Sequence, residues 1–301
     1  MEKKFLITGG AGLVGTSVPF GLKPSRKEVD LTNYDQLISY IRDHKITDIV
    51  HCAGKVGGVK SNKQFINDFF VENLTINTNI IKACREVNRA TFLLSTCIFP
   101  EFAEYPLTEE QIHNGEPHST NYGYAYAKRM LEVGARSLRE QYNINAKCII
   151  PCNMYGIGDN YDMENGHVLP SLIHRCYLSK LNNKPFIVWG EGKALREFLF
   201  SEDLGRILYK IHIDDVTIPN TMIVSPGKEW SIREAVKIII SKFNFSGKVV
   251  FDKTKPEGIM RKSTNNNLFN VHFPNFEFTD LKNGLEKTIE DFLEKYPNIR
   301  K

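Results

Sequence analysis

Phe5-Leu6-Ile7-Thr8-Gly9-Gly10-Ala11-Gly12-Leu13-Val14-Gly15 is the stretch that decides the fold. A β-branched and aromatic run from Lys4 to Thr8 leads into a glycine-rich turn and then into a helix start. Gly10-x-Gly12-x-x-Gly15 fits the dinucleotide fingerprint, and Gly9-x-x-Gly12-x-x-Gly15 is a second register. Both ask for glycine for one reason: backbone must approach a pyrophosphate whose charge sits at a helix N-terminus. Alone the motif is weak; its place directly after the first strand strengthens it.

Outward from this turn, strands and helices alternate. Asp35 to His44 has helical apolar spacing at Leu37, Ile38 and Ile41, and Asp48 to Cys52 reads as a buried strand. Val71 to Asn88 reads as a long helix with Leu74, Thr78, Ile81 and Ala83 or Cys84 on one side. Ala90 to Ser95 is a strand, Tyr124 to Tyr142 a second long helix and Ala146 to Ile150 a strand. This alternation predicts an α/β fold with a Rossmann-type, doubly wound parallel sheet. After Asn153 loops dominate, with a helix at about 169–180, a strand at Phe186 to Trp189, a Ser-capped helix at 231–243 and a closing helix at about 281–296. The expected division is a nucleotide-binding domain of 1–155 plus about 186–225. A smaller, discontinuous C-terminal substrate lobe takes about 156–185 plus 226–301. The stretch between Gly15 and Asp30 is short, and Pro19 interrupts the first helix. A truncated helix and a vestigial or absent second strand follow.

The 301 residues suffice for one large α/β domain with a smaller lobe. Hydrophobic residues at 42% and charged residues at 25% are ordinary for a globular chain. No apolar run spans a membrane, and the first residues are too short an apolar stretch for a signal peptide. Cysteines 52, 84, 97, 148, 152 and 176 show neither a C-x-x-C pair nor metal spacing, which predicts a reduced, cytoplasmic chain without a metal. A net charge of +4 with interspersed signs predicts no nucleic-acid partner and no membrane partner, but suits anionic small ligands.

An acidic residue about 20 positions beyond the glycine loop favours NAD. Here Ser25-Arg26-Lys27-Glu28-Val29-Asp30 follows. A serine and two cations, Arg26 and Lys27, suit a ribose 2′-phosphate and favour NADPH; a merely solvated turn is the alternative. Asp30 is a candidate for the adenine edge.

Tyr124 and Lys128 lie one helical turn apart and face one side. A free phenol has a pKa of about 10, and a nearby ammonium favours its ionised form. Ser95, at a strand end upstream, is placed to hold a carbonyl oxygen while Tyr124 gives it a proton. Simple hydride transfer needs no thiol, so Cys97, two residues after Ser95, points to a second reaction: proton removal from carbon.

Lys55-Val56-Gly57-Gly58, Ser95-Thr96-Cys97-Ile98-Phe99-Pro100, Tyr124-Ala125-Tyr126-Ala127-Lys128 and Asn165-Gly166-His167-Val168-Leu169-Pro170 resemble the GDP-L-fucose synthase family. Val188-Trp189-Gly190, Arg196-Glu197-Phe198 and Lys255-Pro256-Glu257-Gly258 extend the resemblance over nearly the full chain. These are extended short-chain dehydrogenases/reductases, whose glycine spacing is the second register above. The resemblance implies 3,5-epimerisation of GDP-4-keto-6-deoxy-D-mannose and then NADPH-dependent reduction at C4. It implies that Ser95, Tyr124 and Lys128 reduce while Cys97 and His167 epimerise. It implies that Gly9, Gly10, Ala11, Gly12, Leu13, Val14, Gly15, Leu93, Leu94, Ser95, Thr96, Lys128, Pro151, Cys152, Asn153, Met154 and His167 line the cofactor. Thr96, Val168, Arg175, Trp189, Arg196 and Lys262 are the implied substrate contacts. Such enzymes pair two long helices between subunits, which implies a homodimer. Other readings are a UDP- or CDP-sugar enzyme and a catalytically inert NADP-binding scaffold.

Thiol and imidazole suit epimerisation because C3 and C5 flank a ketone: a base on one face and an acid on the other invert the centre through an enolate. A nearby cation lowers a thiol's pKa. The expectation is a Cys97 thiolate as base and a His167 imidazolium as acid. His51, His113 and His118 are expected to be solvated or structural.

Overall fold

The computed structural model describes residues 2–255 and 258–301, so Pro256 and Glu257 of the matched Lys255–Gly258 segment lie outside the described residues. In chain order the elements are β1 (Phe5–Thr8), α1 (Leu13–Ser17), α2 (Tyr34–Asp43), β2 (Asp48–His51), α3 (Val59–Gln64), α4 (Ile66–Ala83), β3 (Arg89–Leu93), α5 (Tyr122–Tyr142), β4 (Asn145–Pro151) and β5 (Asn153–Tyr155). There follow α6 (Val168–Leu181), β6 (Phe186–Trp189), β7 (Leu195–Phe200), α7 (Ser201–His212), β8 (Thr221–Val224), β9 (Glu229–Ser231), α8 (Ile232–Lys242), β10 (Val249–Asp252), β11 (Arg261–Lys262), α9 (Asn267–His272) and α10 (Leu281–Lys295).

The central sheet is parallel, in the order β1-β2-β3-β4-β8. Its strands are apolar on both faces because both are covered. Leu37, Ile38 and Ile41 of α2, Ile80 of α4 and Leu131 and Leu138 of α5 pack with Leu6, Ile49 and Ile150. On the other side Leu204, Ile207 and Ile211 of α7 pack with Ile7, Val50, Ile149 and Val18.

Beyond β1 the second winding is trimmed, as Pro19 leads one to expect. α1 has five residues, and Val18 leaves it in extended conformation, as a residue before proline must. The second strand survives as one parallel bridge between Leu6 and Leu22. Ile7 N–H donates to the Leu22 carbonyl at 2.8 Å, and Leu22 N–H to that of Phe5 at 2.8 Å.

A second core gathers α6, α8 and α10 around β6 and β7. Here the structure departs from the expected division. β6 pairs with β10, and Phe186 and Val188 fill this second core, so β6 packs with the lobe, whereas α7 and β8 stay with the central sheet. Conversely, Phe269 and Phe273 at α9 pack under the central sheet. The buried stripe of α4 also differs: it is Phe69, Asn73, Ile76, Asn77, Ile80 and Ala83, while Thr78 is exposed. All six cysteines are free thiols. Among the described residues no group of three ligating side chains suits a metal, and no helix is long and apolar enough to cross a membrane.

Candidate active site

In a parallel sheet, ligands bind beyond the carboxyl ends of the strands. Gly9 to Gly15 follow β1, Leu94 to Thr96 follow β3, and Cys152 to Met154 follow β4, so three of the sequence-identified segments share that edge. The glycines are sterically required. Gly9 has φ +69°, and a Cβ there would lie 2.7 Å from the backbone of Ala53. A Cβ on Gly15 would lie 2.1 Å from the Gly9 carbonyl oxygen. The result is a close-set turn walled by backbone, which fits a dinucleotide pyrophosphate.

The adenosine end is less built. Arg26 is exposed, 4.0 Å from Asp30 and 3.9 Å from Glu72, and Lys27 is exposed. Asp30 accepts from the Thr32 N–H at 2.9 Å and its hydroxyl at 2.8 Å, which lowers its carboxyl pKa. Lys23 belongs to no sequence motif. It lies against Gly10 and donates to the Val18 carbonyl at 2.5 Å, closing the end of the shortened α1.

β3 delivers Ser95 and a single 3-10 turn, Thr96–Ile98. Ser95 caps this turn: its hydroxyl oxygen accepts the Cys97 N–H at 3.3 Å. The carbonyl of Ile98 takes two N–H groups of Arg129, at 3.0 and 2.5 Å. Arg129 thus braces the Cys97 turn against α5, a role that no sequence motif signals. Tyr124 and Lys128 are both buried on α5, whereas Tyr122 is exposed and Tyr126 half-buried. The Ser95 side chain and Cys97 are both close enough to Tyr124 to act on its phenol. Lys128 donates to the Leu93 carbonyl at 3.0 Å.

Burial changes the expected electrostatics. It pushes the Tyr124 phenol well above its ordinary pKa; the Cys97 charge adds to this and Ser95 opposes it. The phenol is therefore held protonated, contrary to the expected lowering by Lys128. Burial also lowers the Lys128 ammonium to about 8, opposed by the Cys52 thiol.

His167 stands at the N-cap position of α6, its side chain making no capping bond. Gly58 N–H donates to the Asn165 carbonyl at 2.7 Å, and a Cβ on Gly58 would meet that carbonyl at 3.0 Å. At the other end of the same loop, a Cβ on Gly54 would lie 3.4 Å from Lys128 Nζ. Four residues span at most about 14 Å. One short loop therefore ties the His167 segment to the Lys128 side of the cleft. Desolvation lowers the pKa of His167, with Arg300 adding to it. The resting side chain is neutral at pH 7, not the expected imidazolium. It remains accessible to water.

Of the residues marked for a substrate, Thr96 is buried within the 3-10 turn and Val168 opens α6, partly exposed. Arg175 stacks its guanidinium 4.3 Å from the Trp189 ring and donates to the Met163 carbonyl. Arg196 and Lys262 are paired across β7 and β11. The Lys262 ammonium interacts electrostatically with Cys97 and Arg196. A guanidinium on a planar ring and a paired arginine and lysine are each the kind of group that suits a nucleoside diphosphate.

Residues 5–224 match the model of the NAD dependent epimerase/dehydratase family. The chain is 36% identical to a GDP-L-fucose synthase of Dictyostelium discoideum, over 100% of this chain and 98% of that one. It is 34% identical to a GDP-L-colitose synthase of Yersinia pseudotuberculosis, over 98% and 99%. The solved structure of a GDP-L-fucose synthetase from Naegleria fowleri bound to NADP superposes with a TM-score of 0.92 at 34% identity, covering 100% of this chain and 95% of that one.

Proposed function

The chain belongs to the GDP-L-fucose synthase family, within the NAD dependent epimerases/dehydratases, and we propose that it converts GDP-4-keto-6-deoxy-D-mannose to GDP-L-fucose. The reaction is epimerisation at C3 and C5 followed by NADPH-dependent reduction at C4. One observation carries this reading: Cys97 shares a turn with Ser95, both act on the Tyr124 phenol, and the Lys262 ammonium lies within electrostatic reach of Cys97. A pocket for reduction alone has no use for that thiol.

Bound NADPH supplies the hydride. The Gly9–Gly15 loop, Leu93 to Thr96, Pro151 to Met154, Lys128 and His167 hold the cofactor, with Arg26 and Lys27 toward its 2′-phosphate and Asp30 nearby. Arg175, Trp189, Arg196 and Lys262 anchor the GDP end, and Thr96 and Val168 flank the sugar. Ser95 holds O4, which acidifies the hydrogens at C3 and C5. Cys97 takes each proton and passes it to solvent, and His167 returns one on the opposite face. His167 is neutral at rest and open to water, so it draws its proton from solvent. Tyr124, kept protonated by burial, then gives its proton to O4 as the carbonyl is reduced. Reduction removes the ketone and with it the acidity of both neighbours, so it comes last.

Packed helices α4 and α5 leave Val71 and Tyr122 exposed, which supports a homodimer through these helices. Light scattering at micromolar concentration tests it; a 34.4 kDa particle excludes it.

The deciding experiment gives the protein GDP-4-keto-6-deoxymannose and NADPH in heavy water. GDP-fucose with two deuterons on carbon is expected. A reduced product without carbon-bound deuterium refutes epimerisation, and no turnover refutes the substrate.

A further inference from the structure

Below Lys128 lies a chain of buried polar side chains that the proposed chemistry does not use. Thr8, His51 and Asn77 are each 1% exposed or less. Thr8 Oγ1 is 2.7 Å from His51 Nδ1, and His51 Nε2 is 3.1 Å from Asn77 Oδ1. The Asn77 amide donates to the Ala127 carbonyl at 2.7 Å.

Donor and acceptor rules fix this chain in one arrangement. A carbonyl only accepts, so the Asn77 nitrogen faces Ala127 and its oxygen faces the ring. The ring must then carry its proton on Nε2. Nδ1 is left to accept the Thr8 hydroxyl, whose oxygen faces the Ala53 N–H at 3.4 Å. Burial and the neighbouring Lys128 charge bring the imidazole down to about 3, so it keeps this single neutral form at working pH.

Its ends matter. Thr8 immediately precedes Gly9, where the glycine loop begins, and Ala127 immediately precedes Lys128. Four elements, β1, β2, α4 and α5, are joined through one ring. We propose that His51 is a positioning residue for the reduction half of the reaction, fixing through Asn77 the height of the Ala127–Lys128 turn above the glycine loop. This rests on the function proposed above. Cys97 is held differently, by Ser95 and by Arg129, which lies about 200° around α5 from Ala127. Carbon exchange is therefore expected to be largely independent of this chain.

The test separates the two reactions. Hydride transfer is read as NADPH oxidation in a single turnover with the keto sugar. Carbon exchange is read as deuterium uptake with NADP⁺ in place of NADPH. His51→Leu is expected to slow hydride transfer about tenfold or more, as small misplacements of catalytic groups do, and to leave exchange within about twofold. His51→Gln, which restores a donor toward Asn77, recovers most of the loss. Thr8→Val keeps the volume and shows the same split at a smaller size; it carries the test where His51→Leu does not fold.

Equal losses in both reactions, or unimpaired hydride transfer in the folded variant, overturn the proposal. Wild-type protein assayed alongside reports on the function itself: absence of both reactions refutes that reading. Positioning is then judged by fluorescence titration with NADPH, where binding several-fold weaker in Thr8→Val supports it and unchanged binding overturns it.

Discussion

The ammonium of Lys128 is bonded to the carbonyl of Leu93 at 3.0 Å, tying α5 to the end of the strand that leads into Ser95. Its burial, opposed by the Cys52 thiol, leaves it with a pKa of about 8. The charge is complete below that value and is lost as pH rises through it. The rate of NADPH oxidation is therefore expected to decline above pH 8. Lys128→Met lowers it by roughly 10²- to 10³-fold at pH 7, the scale of losing one preorganised electrostatic partner. A flat rate between pH 7 and 9.5 contradicts the assignment.

Cys97→Ser keeps the shape of the 3-10 turn and its backbone hydrogen bond to Ser95. A hydroxyl is far less acidic than a thiol, so deuterium uptake at carbon is expected to fall by about 10²-fold or more. Reduction of a substrate already epimerised is retained. Mass spectrometry of the recovered sugar reads the first and absorbance of NADPH the second. A serine variant that still exchanges both positions removes Cys97 from the mechanism.

His167 sets the acidic side of the same reaction. Desolvation, and then Arg300, lower its pKa, so the protonated fraction falls away at a lower pH than for an ordinary histidine. With His167 as acid, the protonated form it needs grows scarcer as pH rises, which opposes any gain from a more ionised base, so exchange does not climb steadily from pH 6 to pH 8. Exchange that rises steadily with pH and is abolished in His167→Gln assigns His167 as the base instead.

The residues above were legible because their chemistry coincides with local spacing. Tyr124 and Lys128 are four apart on one helix, and Cys97 shares a turn with Ser95. Other parts depend on contacts that spacing cannot show. The inner face of α4 includes Asn73 and Asn77, so apolar periodicity skips them and shifts the expected face to Leu74, Thr78 and Ile81. Asn73 accepts the Lys55 N–H at 2.8 Å and donates to the Phe69 carbonyl at 2.7 Å, which makes amides as much a part of this core as leucine. His51 was expected to be solvated or merely structural and is wholly buried. β6 read correctly as a strand, but its partner β10 lies some 60 residues away, so its core was not readable locally. Pro19 did announce the missing second strand, because proline acts through its own ring and absent N–H.

Arg129 offers a test of how firmly the Cys97 turn must be held. Its guanidinium donates twice to the Ile98 carbonyl and once, at 2.9 Å, to that of Gly115. Arg129→Met leaves the buried Ile98 carbonyl short of donors, a cost of about 1–3 kcal/mol. A lower melting temperature is expected, with carbon exchange impaired more than hydride transfer. Arg129→Lys cannot reproduce the fork and rescues little. Full exchange activity in a folded Arg129→Met protein shows that the turn holds itself.

Asp159 provides a stability prediction whose sign can be worked through. It is 2% exposed; one oxygen accepts the Asn160 N–H at 2.7 Å and the other, buried, has no partner. Desolvation raises its pKa to about 7, with the Asn160 N–H and Arg300 opposing. The folded state therefore binds the proton more tightly than the unfolded chain, whose aspartate titrates near 3.9. Its contribution is complete below the unfolded value and is lost as pH rises through about 7, where the buried charge has to form. Three units correspond to at most about 4 kcal/mol. His51 and His212, each lowered to about 3 by burial, act in the opposite sense, destabilising the fold as pH falls below 6.5. Their effect is common to wild type and variant, so it cancels in the difference. Asp159→Asn is accordingly expected to raise the melting temperature by several degrees at pH 8 and by much less at pH 4.5, with the gain growing between. A gain independent of pH, or a loss at pH 8, means that the carboxylate is stabilised by partners that these contacts do not include.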